Sequence, residues 1–211
     1  ATYLKAAGYD GIILNGASVK PVYLYIKDGR AELRDASKVW GLGTRDTEDR
    51  LRELVRDRDA RVLCIGPAGE NLNRAAMLAN DYNHFAAHSG GAVLGSKKLK
   101  AIVVSGSLRP SYRDKERLVD AGVRWRAVLQ QHDIKKKKTK YGHGDAWGAL
   151  NNLNWRSTDL QPAHIKGFDQ NDVVLRPCFQ CARMCPWDAK LGEGDFKGTV
   201  VHFNAGGEWL D

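Results

Sequence analysis

The clearest pattern of apolar and polar positions lies between Pro21 and Arg34. Pro21-Val22-Tyr23-Leu24-Tyr25-Ile26 is rich in aromatic and β-branched residues, and Lys27-Asp28-Gly29-Arg30 separates it from Ala31-Glu32-Leu33-Arg34. Strand formers on both sides of Asp-Gly predict an antiparallel hairpin, because a two-residue turn needs the left-handed backbone that Gly and Asp adopt at least steric cost. Arg61 to Ile65 and Ala101-Ile102-Val103-Val104 are short apolar runs with the length and composition of buried strands. Between the hairpin and Arg61 the period lengthens. Leu51, Leu54 and Val55 share one face of a predicted helix that Thr44 caps, with the acids and arginines of the helix facing water.

Other stretches are read from shorter signals. Thr2 to Gly8 has the look of the last turns of a helix closed by a glycine, and Gly11-Ile12-Ile13-Leu14-Asn15-Gly16 follows as a strand. Gly66 to Asn71 is expected to turn, and Arg74 to Ala79 is either a short strand or a helical turn. Asp114 to Gln131 is helical in pattern, with Leu118, Ala121, Val123, Trp125 and Leu129 as its apolar content. A linker around Arg109-Pro110-Ser111 marks a boundary placed between Gly106 and Ser111, and residues 141–172, rich in Asn, Gly, Trp and His, read as irregular loop and short helix.

With 43% hydrophobic and 27% charged residues over 211 positions, the chain has the make-up of a globular protein with a real core. No apolar run reaches membrane-spanning length, and the expected setting is cytoplasmic. The formal charge of +8 raises nucleic acid as a partner, but most basic residues alternate with acids, as in Arg56-Asp57-Arg58-Asp59-Ala60-Arg61. The exception, Lys135-Lys136-Lys137-Lys138-Thr139-Lys140, has no aromatic-rich motif beside it and reads as a solvated loop, so no nucleic-acid partner is expected.

Cysteine changes the picture. Three of the four cysteines, Cys178, Cys181 and Cys185, fall within Pro177-Cys178-Phe179-Gln180-Cys181-Ala182-Arg183-Met184-Cys185-Pro186. Thiolates are soft, strongly donating ligands, and this spacing lets three of them face one iron–sulfur cluster. A zinc site with His202 as fourth ligand, and incidental thiols, are the alternatives. Cys64 sits in an apolar run, where a buried, inert thiol is expected. A second informative stretch runs from Ala87 to Lys100. Gly90, Gly91 and Gly95 suit either a close backbone approach to an anionic ligand, with Ser89, Ser96 and Lys97 adding donors, or a tight turn between core elements.

In this order the motifs resemble the tungsten-pterin aldehyde:ferredoxin oxidoreductase family. The resemblance is carried by Leu4 to Ile13, Pro21 to Leu24, Asp35-Ala36-Ser37, Trp40-Gly41, Ile65-Gly66-Pro67-Ala68-Gly69-Glu70-Asn71, Gly95 to Ile102 and the cysteine loop. It implies an α+β chain: residues 1–106 as the C-terminal part of a β-rich pterin-binding domain, and 107–211 as the beginning of a mainly helical, iron–sulfur-binding domain. It implies an internal portion of a longer polypeptide. The cofactors would be a 4Fe-4S cluster on Cys178, Cys181 and Cys185 and a tungsten (or molybdenum) bis-pterin against His88, Ser89, Gly90, Gly91, Gly95, Ser96 and Lys97. The partners would be a small-molecule substrate and a ferredoxin-like or other iron–sulfur carrier, with an oligomeric state left open. His88-Ser89-Gly90-Gly91 stands where members carry an arginine-containing glycine motif, which marks a divergent branch. Glu208 and His202 are candidate proton donors. A non-catalytic electron-transfer or zinc-binding module is the alternative function.

Overall fold

The computed structural model describes residues 2–86, 90–108, 111–131, 172–175 and 187–203. The chain divides into two compact units, residues 1–112 and 113–211.

The first unit is built on a mixed sheet of six strands. β1 (Val22–Lys27) and β2 (Arg30–Asp35) form the expected hairpin, and its turn residues Asp28 and Gly29 are both left-handed, with φ of 42° and 81°. β3 (Arg61–Cys64), β4 (Leu78–Asn80), β5 (Asn83–Ala86) and β6 (Leu99–Ser105) complete the order β2-β1-β6-β3-β4-β5. β1 and β6 run parallel, and every other pair is antiparallel.

The parallel pair β1 and β6 buries both of its faces. Tyr23, Tyr25, Ala101 and Val103 meet Val39, Leu51, Val62 and Cys64 in one core, whereas Leu24, Ile26, Ile102 and Val104 meet Ala7, Ile65, Leu94 and Leu99 in the other. A strand enclosed on two sides needs apolar side chains at successive positions, which explains the unbroken runs in the sequence.

The helices of this unit are α1 (Thr2–Ala6), α2 (Thr44–Val55), α3 (Pro67–Glu70) and α4 (Gly90–Ser96). Several expectations are corrected. Residues 11–16 form no strand: Ile12 and Leu14 pack on the core and Ile13 is 88% exposed, so the alternation is real but none of the described strands pairs with it. Thr44 is the first helical residue of α2, not its cap. Gly43 holds that position, and the Thr47 hydroxyl donates back to Gly43 O at 2.7 Å. The charged residues of α2 do not all face water, because Glu48 is fully buried. Gly66 to Asn71 contains a turn of helix with Pro67 at its first position, where the missing N–H removes no hydrogen bond. Residues 90–96 are helical rather than a tight glycine turn.

In the second unit, α5 (Lys115–Gln131) matches the periodic segment of the sequence. β7 (Asp172–Leu175), β8 (Trp187–Lys190) and β9 (Val200–Phe203) form an antiparallel sheet in that order, which the apolar pattern does not announce. No helix among the described residues is long and apolar enough to cross a membrane.

Candidate functional site

The described part of the candidate site is α4 and what it leans on. Gly91 and Gly95 lie one helical turn apart, and both are buried where α4 meets α3 and the chain entering β4. A Cβ on Gly95 would lie 1.9 Å from Gly69 O, and one on Gly91 would lie 2.8 Å from Met77 O and from the Ala76 side chain. A Cβ on Gly69 would in turn lie 2.9 Å from Gly91 O. Backbone therefore touches backbone across this seam, and only glycine leaves the room. The close approach expected of Gly91 and Gly95 is made to α3 and its surroundings. Gly90 differs, since a Cβ there would meet only the Leu78 side chain, at 3.2 Å.

At the other end of α4, Ser96 is exposed and donates to Val93 O at 2.8 Å. Lys97 is half-buried and its ammonium donates to Gly16 O at 2.9 Å, while Ser18 N donates to Lys97 O at 3.0 Å. The following Lys98 is left-handed, with φ of 51°, and donates to Val19 O at 2.7 Å. Residues 16–19 are thus tied to the end of α4. An ammonium carries three N–H donors, and the bond to Gly16 uses one of them.

α3 is anchored from below by a buried ion pair. Lys100 of β6 is fully buried, and its ammonium donates to Glu70 Oε1 and, at 2.9 Å, to Leu42 O. The Glu70 carboxylate also accepts the Gly41 N–H, at 3.0 and 2.9 Å to its two oxygens. A second buried network lies under α2. Glu48 accepts the Tyr82 N–H at 2.9 Å and a bond from Arg52 at 3.0 Å. Arg52 also donates to Asp81 at 3.0 Å and to Ala60 O at 3.1 Å. Asp81 and Tyr82 are both left-handed, with φ of 51° and 64°, so Glu48 and Arg52 hold a turn that lacks the glycine such a backbone favours. Burial pushes the Glu48 carboxyl up to about 7, against the opposing effects of the Tyr82 N–H and Arg52. Burial likewise pushes the Cys64 thiol up to about 12, and Glu48 adds to the rise. A thiol so held is neither a nucleophile nor a ready ligand at neutral pH.

Of the other candidates, His202 lies on β9 directly across from Asp188 of β8, which is 6% exposed. Cys178, Cys181, Cys185, His88, Ser89 and Glu208 lie outside the described residues. Among the described residues no group of three or more His, Cys, Asp or Glu side chains is placed to hold a metal ion. Of the buried charges, Glu70 and Lys100 fall inside segments that carry the family resemblance and Glu48 does not, but neither motif nor spacing marks any of the three as buried. Lys100 alone leaves a trace, as a lysine inside the apolar run Leu99 to Val104.

Over 96% of the chain the fold matches the BamBC active-site complex of benzoyl coenzyme A reductase solved with 1,5-dienoyl-CoA, with a TM-score of 0.75 and 27% identity, and the match takes in 34% of that chain. The class of fold is thereby a mixed sheet with helices. Residues 1–106 match the model of the aldehyde ferredoxin oxidoreductase N-terminal domain. The chain belongs to the aldehyde ferredoxin oxidoreductase family. It is 49% identical to a tungsten-containing aldehyde ferredoxin oxidoreductase of Pyrococcus abyssi over 86% of its length, and 48% identical to that of Pyrococcus horikoshii over the same share. An aliphatic sulfonate oxidoreductase, WOR-like subunit, of Pyrococcus furiosus is 29% identical over 93% of the chain. The chain spans about a third of the length of these relatives, at 32%, 32% and 35%.

Proposed function

We propose that this chain forms one wall of a tungsten (or molybdenum) bis-pterin site and supplies three ligands to a 4Fe-4S cluster in an enzyme that oxidises an aldehyde or a related carbonyl or oxo substrate. Electrons leave for a ferredoxin-like or other iron–sulfur carrier, in a cytoplasmic setting. The observation that carries this is the match of residues 1–106 to the aldehyde ferredoxin oxidoreductase N-terminal domain. Identity of 49% to an aldehyde-type relative, against 29% to the sulfonate relative and 27% to the benzoyl coenzyme A reductase structure, favours an aldehyde over the substrates of the other two.

The donor set suits these groups. Three closely spaced thiolates are the ligand chemistry of an iron–sulfur cluster, and Cys64, buried and protonated, stands aside from it. On the pterin side, Ser96 and the backbone at Gly90 in α4, with Lys97 directly after it, are the groups left to face a ligand, since Gly91 and Gly95 are occupied with the seam. The Lys97 cation would complement an anionic pterin through a charge-assisted hydrogen bond. His202 and Glu208 are the proposed proton carriers, an imidazole and a carboxyl being the usual choices for that task. When bound, the tungsten centre supplies two-electron chemistry and the cluster passes electrons singly, while the protein holds, orients and exchanges protons.

The test is metal analysis of the full-length protein together with aldehyde-dependent reduction of a ferredoxin. Tungsten with ~4 iron atoms and acid-labile sulfide per chain is expected. One zinc and no iron would overturn the proposal in favour of a zinc-binding module.

A further inference from the structure

A fully buried lysine is rare, and Lys100 is enclosed together with Glu70, whose side chain is 6% exposed. Taking two charges out of water is offset only when the geometry is good and the remaining donors and acceptors find partners. Here those partners are backbone. Lys100 Nζ donates to Leu42 O at 2.9 Å, and Glu70 accepts the Gly41 N–H at 2.9 Å. The pair thus ties β6, the last residue of α3 and the segment ahead of α2 into one unit.

What Glu70 holds is next to what α4 rests on. Gly69 precedes it, and Gly69 O is the atom that a Cβ on Gly95 would strike, while the Gly69 Cα faces Gly91 O. No side chain stands between the two backbones to absorb a shift, so α3 and α4 move together or not at all. α4 carries Gly90 and Ser96, and Lys97 follows it directly.

We infer that Glu70 and Lys100 are positioning residues for the pterin site: the buried pair fixes α3, and the glycine seam transmits that position to α4. Because it takes α4 as the pterin-facing element, this rests on the proposed function. The informative change is E70M/K100M in the full-length protein. Replacing both members of a buried pair by apolar residues leaves no unpaired charge and often preserves the fold, yet it removes the ties to Gly41 and Leu42. Tungsten and iron are measured per folded chain, with circular dichroism as the folding control. A tungsten content lowered about tenfold with iron retained is expected, the size seen when groups that orient a metal site are removed. Wild-type tungsten in the folded double variant would overturn the inference.

A second measurement does not depend on the variant folding. Coupling between sites is reciprocal, so cofactor that is positioned by the pair must in turn steady it. Hydrogen exchange at residues 40–43 and 67–71 of the wild-type protein is compared between chains loaded with tungsten and chains produced without it. Exchange slowed about tenfold by loading is expected, and equal rates in the two forms would overturn the inference. Wild-type protein that binds no tungsten would instead refute the proposed function itself.

Discussion

Glu48 is a charged residue of α2 that the sequence pattern assigns to the surface and the fold buries. It is enclosed beneath α2, and burial lifts its carboxyl from an ordinary 4.5 to about 7. The sign of the consequence follows from proton counting. Between those two values the folded chain holds a proton that the unfolded chain has released, so stability falls as pH rises. The contribution is complete below pH 4.5 and is lost as pH passes 7, a span of about 3 kcal/mol. Denaturant unfolding at pH 5 and pH 8, in the wild-type chain and in E48Q, checks this. The wild type should lose roughly 2–3 kcal/mol relative to E48Q between the two, most of that span, and parallel pH profiles would remove Glu48 as the source. Cys64 presents the same physics with no charge to gain. Its thiol, pushed up to about 12 and lying 3.6 Å from Thr44 O, belongs to the core. C64S should therefore leave the iron of the full-length protein unchanged, whereas C181S, which trades a soft thiolate for a hard hydroxyl, should lose or convert the cluster. Equal iron loss in both variants would contradict that division of roles.

Among the elements, α3 and α4 are short, and neither would persist alone as a helix in water. Packing holds them, through Leu94 in the core and through the glycine seam. The seam makes a graded prediction. G95A places a Cβ 1.9 Å from Gly69 O, a clash with backbone that no rotamer relieves, and should destabilise the chain by at least ~3 kcal/mol. G90A meets only the flexible end of Leu78, at 3.2 Å, and should cost no more than ~1 kcal/mol. Thermal or denaturant unfolding of the two variants ranks them, and equal effects would mean that the helices stand further apart than described. The same geometry bears on function. A loss of cofactor in a Gly91 or Gly95 variant would report a displaced helix before it reported a lost ligand contact, so Lys97→Ala and Ser96→Ala are the cleaner probes of a pterin contact.

For the whole molecule, the sequence and the structure divide the work unevenly. The hairpin at Asp28-Gly29, the buried strands and the periodic α5 were legible because each depends on local pattern: turn chemistry, apolar runs and helical spacing. The stretch at residues 11–16 shows the limit of that logic. Its alternation marks which side chains face the core, but a strand also needs a neighbour to receive its hydrogen bonds, and alternation says nothing of neighbours. The sheet of β7, β8 and β9 was missed for another reason: its strands are only four residues long, and the stretches between them carry no two-residue turn signal.

By itself the sequence determined the family through motifs spread along the chain, the three clustered thiols and the strands that bury both faces. Each of these is written in residues close together or in a fixed order. Only the tertiary structure decided what the glycines of α4 touch, that Glu48 lies under α2, and that Lys100 reaches Glu70 across thirty positions of chain. A charged residue or a glycine has the same letter in water as in the core, and its role is set by whichever distant backbone the fold brings against it.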